Sequence, residues 1–395
     1  MRKILRLSLT LVLGASVAVG CGDTTEIAPS ESDTGADAET DPGPDVDAGS
    51  DVGPDAPPSC QAAAQDGNFA LAPDGPDTQI HAATAWDGQT LWLTYNVPDP
   101  EGTFDVWVAG FDCGGNPSVP PQRVNTTDFN DVDPAIAAQS GQIIIAWSTD
   151  DGMQPDNLSL RYRRMSADGT WLDAEDRIFP NEGNAWMASL ATGPNGTWEM
   201  AGVRAGETEF RVFRATLDAD GSPGELTHFE EGQPGTQAGP SLLVREGQEW
   251  LAWSHDGDQI RLATDDGIEA LEGTGPSLGW GPDGALFSRT DGMQVEVHAL
   301  NTGIKTRFSE PGKQLHSAVA QGDVIAWYRQ ISGIRNQLYW AGPDGKKIWI
   351  DTEFAVAPYG IALTDLGDGS YFISWSEGVS PAFRIYGRIL RPSSG

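Results

Sequence analysis

One short pattern recurs along most of this chain: an apolar strand ends in a small residue and an aromatic, and a polar turn follows. It reads Leu93-Thr94-Tyr95-Asn96, Ile145-Ala146-Trp147-Ser148, Leu251-Ala252-Trp253-Ser254, Ile325-Ala326-Trp327-Tyr328 and Ile373-Ser374-Trp375-Ser376. Weaker copies, Met200-Ala201-Gly202-Val203 and Leu286-Phe287-Ser288-Arg289, fill the two gaps. From Tyr95 to Trp375 six steps cover 280 residues, a period of about 47. A unit of that size holds about four strands and buries its apolar faces only by stacking on its neighbours. The expected fold is all-β: a β-propeller of seven four-stranded blades.

The anatomy of one unit agrees. Pro134-Ala135-Ile136-Ala137 reads as an inner strand, residues 142–147 as the second, residues 158–164 as an alternating third, and Arg177-Ile178-Phe179 as the outer one. Asp87-Gly88, Asn195-Gly196, Asp220-Gly221, Asp283-Gly284, Asp344-Gly345 and Asp368-Gly369 suit tight turns that need positive φ. Aromatic anchors packed between blades account for the 14 Trp without a binding role. The last unit has three strands and ends at Arg388-Ile389-Leu390. Asn68-Phe69-Ala70-Leu71-Ala72, ahead of a first inner strand near Ile80, supplies the missing one. Closure by that strand removes the exposed sheet edges. Blades four and five are short, which leaves six or eight units as alternatives.

The amino end is an address. Arg2, Lys3 and Arg6 precede an apolar stretch over residues 4–19, the form of a secretory signal. Ala18-Val19-Gly20-Cys21 resembles the lipobox of bacterial lipoproteins, although Leu is usual where Ala18 stands. That resemblance implies cleavage after residue 20 and lipidation of Cys21, which would anchor the chain to a bilayer. Residues 22–59 contain eleven acids, no base and no aromatic, the composition of an extended, disordered tether. The expected division is therefore leader 1–20, tether 21–59 and propeller 60–395, with the closing strand within 60–79. Cys60 and Cys113 remain, an even pair in an oxidising compartment, and a disulfide between them would pin the seam of the ring.

Charge narrows the partners. With 57 Asp+Glu against 24 Lys+Arg the chain carries −33 and repels phosphate, so neither nucleic acid nor anionic lipid head groups are expected as partners. Motifs of catalysis fail on context. Gly275-Pro276-Ser277-Leu278-Gly279 fits G-x-S-x-G, and Gly279-Trp280-Gly281-Pro282-Asp283-Gly284 fits G-x-G-x-x-G, but no helix follows either one. The five histidines show no metal spacing, and no metal or other cofactor is called for. Ser166-Ala167-Asp168-Gly169-Thr170-Trp171 resembles the Asp-box turn of sialidases but is one residue short.

What remains is one face. Loops after the anchors and before the inner strands converge around the channel, and function on repeat scaffolds resides in such loops. They carry Asp131, Asp133, Asp150, Asp151, His255, Asp256, Arg329, Arg335 and Glu377, with Asp99 and Glu101 beside them. An acidic ring of this kind suits a cation or a polyhydroxyl ligand. The lipobox, the acidic tether and the Ala-Trp and Asp-Gly repeats together resemble propeller-bodied bacterial surface lipoproteins; the Pro-Asp-Gly turns at Pro282 and Pro343 are also similar to TolB-like repeats. The lipid address, the long tether and the lack of an assembled catalytic set point to a non-catalytic binding module, expected as a monomer lipid-anchored to the outer membrane through Cys21. Its partner would be a glycan or an envelope protein. The alternative is a polysaccharide-active hydrolase or lyase using carboxylates on that face.

Overall fold

The computed structural model describes residues 67–71, 78–139, 141–150, 158–180, 184–205, 209–229, 235–310, 313–332, 335–355, 360–379 and 382–392. The chain divides into two units, Met1–Pro54 and Asp55–Gly395; the first, with the leader, Cys21 and most of the acidic segment, lies outside the described residues.

The second unit is a ring of seven blades, each an antiparallel meander. Blade 1 runs Ile80–Trp86, Leu91–Pro98, Phe104–Phe111 and Pro117–Arg123 from the axis outward. The inner strands of blades 2 to 7 are Asn130–Gln139, Ala185–Thr192, Gln237–Arg245, Thr274–Gly281, Leu315–Gln321 and Ile361–Asp365. Blades 6 and 7 form one continuous sheet through a single bridging pair, Ala355 with Glu377. Blade 7 has three strands of its own, and the fourth is Phe69–Ala70, paired with the last strand at Phe69–Gly387 and Ala70–Tyr386. The Leu71 amide extends this pairing to the Ile385 carbonyl at 3.0 Å. Closure is thus made by the amino end, as the short last repeat requires.

The anchors hold the blades together. Trp147, Trp253, Trp327 and Trp375 are fully buried. Each belongs to a core shared with the preceding blade: Trp147 with Trp92, Trp253 with Ala201 and Val203, Trp327 with Leu286, Trp375 with Tyr328. Tyr95 closes the circle against Phe372 and Ile385 of blade 7. In blade 3 the anchor's place is Gly202, and the Phe213 ring across the ladder occupies it; a Cβ on Gly202 would lie 2.7 Å from that ring.

Blade 5 departs from the alignment by one residue. Thr274 pairs with Thr290 and Ser277 with Ser288 across its bulge, as Val132 pairs with Ser148 and Ala135 with Ala146 in blade 2. The residue in the anchor's place is therefore Arg289, not Ser288. The glycine-rich match at Gly279 is a packing demand: a Cβ there would lie 1.9 Å from the Ala320 carbonyl oxygen of blade 6.

Candidate functional site: the mouth of the axial channel

All seven inner strands enter the ring through one device. In six blades the ladder slips at a bulge, and the residue within it has positive φ: His81 (55°), Asp133 (52°), Met187 (56°), Gly239 (58°), Gly275 (61°) and Ser317 (50°). Gly360 (76°) holds the equivalent place just before Ile361 in blade 7. Two small residues follow in most blades, as in Ala82-Ala83, Pro134-Ala135, Ala188-Ser189 and Pro240-Ser241. Small side chains let seven strands converge on the axis, and the bulge re-aims the residue before them.

The inner strands enclose a channel of about 370 Å³. Among the described residues its wall carries Thr84, Ser189, Ser241, Ser277 and Gln321 between alanines, prolines and leucine, isoleucine and valine side chains, and no charged side chain. Two of the hydroxyls also stitch blades together. Ser189 Oγ accepts the Leu242 amide at 3.0 Å and Ser241 Oγ the Leu278 amide at 2.9 Å. Thr84 and Thr364 share a hydrogen bond of 2.6 Å across the closing seam.

Charge appears at the mouth. His81 Nδ1 lies 3.0 Å from Asp133 Oδ1, joining blades 1 and 2, and both side chains are about one-third exposed or less (27 % and 35 %). Met187 and Ser317 hold the matching places in blades 3 and 6. His316, just before Ser317, is half-buried, and burial lowers its pKa and keeps the imidazole neutral. A left-handed conformation costs a non-glycine residue about 1 kcal/mol or more. Glycine takes it in three blades, so His81, Asp133, Met187 and Ser317 keep side chains where the backbone favours none.

Most of the charged residues expected on this face are engaged in building their own blades. Asp131 corrects the sequence reading most: it is wholly buried and does not face solvent. Its Oδ1 accepts the Trp147 indole N–H at 2.9 Å and the Thr149 hydroxyl at 2.6 Å. Burial pushes its pKa up to about 7, against the pull of those two donors. Glu377 accepts the Trp375 indole N–H at 3.0 Å. Arg329 sits 2.9 Å from Glu310 and 3.0 Å from the Tyr339 hydroxyl. His255 is buried, 3.7 Å from the exposed carboxylate of Asp256, whose other oxygen accepts the Thr236 amide at 2.7 Å. Asp150 ends its strand between Asn130 and Leu158, and Arg335 is exposed at the start of Arg335–Ala341. Asp99 organises its own turn, taking the Glu101 and Thr103 amides and the Thr103 hydroxyl. Asp151 lies outside the described residues, as does Cys60; Cys113 is buried in the hairpin of residues 112–116.

The bulges ahead of the channel thus hold an imidazole–carboxylate pair and a hydroxyl, next to a wall that mixes hydroxyls with aliphatic side chains. That set can exchange hydrogen bonds with a polar, uncharged ligand. Among the described residues no three His, Cys, Asp or Glu side chains group as a metal site.

No family model and no curated protein matches the chain. Solved structures do. A protein of unknown function from Dyadobacter fermentans aligns with a TM-score of 0.53 at 13 % identity, over 80 % of this chain and 94 % of that one. A Trypanosoma rangeli sialidase bound to 2,3-difluorosialic acid aligns at 0.47 and 10 % identity, over 79 % of this chain and 54 % of that one. The propeller domain of the Trilobed protease from Pyrococcus furiosus also aligns at 0.47, with 11 % identity over 79 % and 95 %. At these identities the likeness concerns architecture alone: the chain is a seven-bladed β-propeller.

Proposed function

We propose that this propeller is a non-catalytic recognition module of the cell envelope, anchored by a lipid on Cys21 and binding a polyhydroxyl ligand, a glycan, at the channel mouth. The observation that carries the reading is the left-handed placement of His81 and Asp133, two hydrogen-bonding side chains kept just ahead of the channel-lining Ala82 and Pro134 at positions where glycine is easiest. The lipobox at Cys21 and the acidic, base-free segment after it support export and tethering at the outer membrane. A Cys60–Cys113 disulfide would reinforce closure. It is supported by the hairpin of Cys113 lying against the closing strand, where a Cβ on Gly115 would sit 2.5 Å from the Phe69 ring.

The test is a glycan-array screen of the purified ring with a His81→Ala/Asp133→Ala double variant beside it. Capture of a glycan class by the wild type and its loss in the variant, with unchanged melting, is the expected result. Equal capture by both removes the mouth from consideration. Intact mass of the amino-terminal peptide from membranes reads the lipid separately.

One observation favours an enzyme instead, on the opposite face. A cavity of about 360 Å³ between blades 4 and 5 is lined by Glu249, Trp250, Asp265 and Asp266. Burial pushes the Glu249 pKa up to about 7 despite Arg214 at 2.5 Å, the state of a general acid. Release of reducing ends by the wild type, abolished in Glu249→Gln, would establish that reading.

A further inference from the structure

The hairpins joining third and outer strands lie on the face opposite the mouth, and their charge changes sign around the ring. In blades 1 to 4 these turns carry Asp112, Asp168, Asp218 with Asp220, and Asp265 with Asp266, and no Lys or Arg. The turn of blade 5 has no acid and feeds the strand that opens Ile304-Lys305-Thr306-Arg307. The turn of blade 6 ends at Lys346 and feeds Lys347-Ile348-Trp349. Beyond residue 3 the chain has four lysines; Lys305, Lys346 and Lys347 lie at these turns, and Lys313 stands just before the inner strand of blade 6, toward the mouth. Residues 301–307 and 343–349 are exposed without interruption and include a single acid, Asp344. Ile304, Ile348 and Trp349 stand 58 %, 36 % and 49 % exposed among those bases.

These segments open neighbouring outer strands at the rim of the ring. Lys347 Nζ reaches the Ser309 carbonyl at 3.1 Å, with Glu310 at 3.8 Å, so the outer strands of blades 5 and 6 meet there. Arg307 is held by Glu296 at 2.6 Å. The chain ahead of the ring arrives on the same strand: Asn68 Nδ2 donates to the Asp351 carbonyl at 2.5 Å, four residues past Lys347.

We propose that this rim is a docking surface for an anionic phospholipid bilayer. The proposal rests on the membrane-anchored reading and adds a contact made by the ring itself. Lysines pair with lipid phosphates, while an exposed indole and isoleucines suit the headgroup level, where one end of a side chain is wet and the other apolar. The rest of the body is acidic and is repelled by such a surface. Screening over roughly 8 Å confines each charge to its own sector, so this rim can face lipid while the acidic sectors stay away from it. Docking there fixes the ring's orientation on the membrane.

Every described strand falls within residues 69–390, so the chain from residue 22 onward keeps all of them and has no lipid. It is sedimented with phosphatidylcholine vesicles containing roughly one-third phosphatidylglycerol, and with phosphatidylcholine alone. The expected result is binding to the mixed vesicles only, weakened about tenfold or more in Lys346→Glu/Lys347→Glu and in Trp349→Ser, and relieved by salt. Lys305→Glu on the neighbouring blade gives a second reading should either variant misfold, and near-ultraviolet circular dichroism reports the fold. Absence of binding by the wild type, or equal binding by folded variants, overturns the proposal. Neither outcome touches the lipid on Cys21, which mass analysis reads independently, and an unmodified Cys21 leaves the vesicle result standing.

Discussion

Blades 2 and 5 occupy the same topological place and fill it differently. In blade 2 the anchor is Trp147, fully buried among Trp92, Ile143 and Ile145, its indole N–H satisfied by Asp131. In blade 5 the anchor's position holds Arg289, paired with Glu296 at 2.9 Å, which also binds Arg307. The apolar core between blades 4 and 5 shrinks to Ala252, Ile260, Leu262 and Phe287, and a cavity opens beside it. Blade 3 shows that the position demands volume, not a particular residue, because Phe213 fills the gap above Gly202 from the opposite strand. The ring therefore has dry seams sealed by aromatics and one polar seam. Local opening should begin at the polar one.

Substitutions can break or sharpen that contrast. The largest effect is expected from Trp147→Ala, a loss of about 3–5 kcal/mol from the emptied volume, with Asp131 left to Thr149 alone, read as a lowered denaturant midpoint. Next comes pH. Asp131 has its folded pKa raised from 3.8 to about 7, so the folded ring holds that proton more tightly than the unfolded chain. The associated stability is full below pH about 4 and is lost as pH rises toward 7. Melting curves across that window should show a slope that Asp131→Asn removes; an unchanged slope assigns it to another group, Glu249 first. Gly202→Ala should cost about 1–3 kcal/mol by crowding Phe213, although the position sits in an ordinary strand. The smallest effect is expected from Arg289→Ala, about 1–2 kcal/mol, because Glu296 keeps Arg307. A cost for Arg289→Ala equal to that of Trp147→Ala would erase the distinction between the seams.

Much of the fold was legible in the chain because buried aromatics repeat. Tyr95, Trp147, Trp253, Trp327 and Trp375 mark five blades, and the single strand missing after Leu390 points to a donor near Phe69. Blade 5 is harder to read because Leu286-Phe287-Ser288-Arg289 sets Ser288 in the anchor's place while the strand holds Arg289 there; only the pairing across the ladder reveals the offset. The site was far less legible. Charged loop residues such as Asp131, Glu377 and Arg329 stand at the right end of their strands, yet they satisfy indoles and local ion pairs. His81, Met187 and Ser317 are not legible as bulge residues, because positive φ is uncommon outside glycine and its enrichment at Asn, Asp and His is too weak to mark a single position. The one signal available was the pair of small residues after each of His81, Asp133 and Met187.

Native-state hydrogen exchange at the Leu71 amide tests the closed ring most directly. Its hydrogen bond to Ile385 exists only when residues near Phe69 complete blade 7. Protection matching that of Ile373 in the same blade is the outcome expected for a circle sealed by its amino end. Exchange at the rate of an unstructured peptide, with Ile373 still protected, would mean that blade 7 stands without its fourth strand and the ring is open.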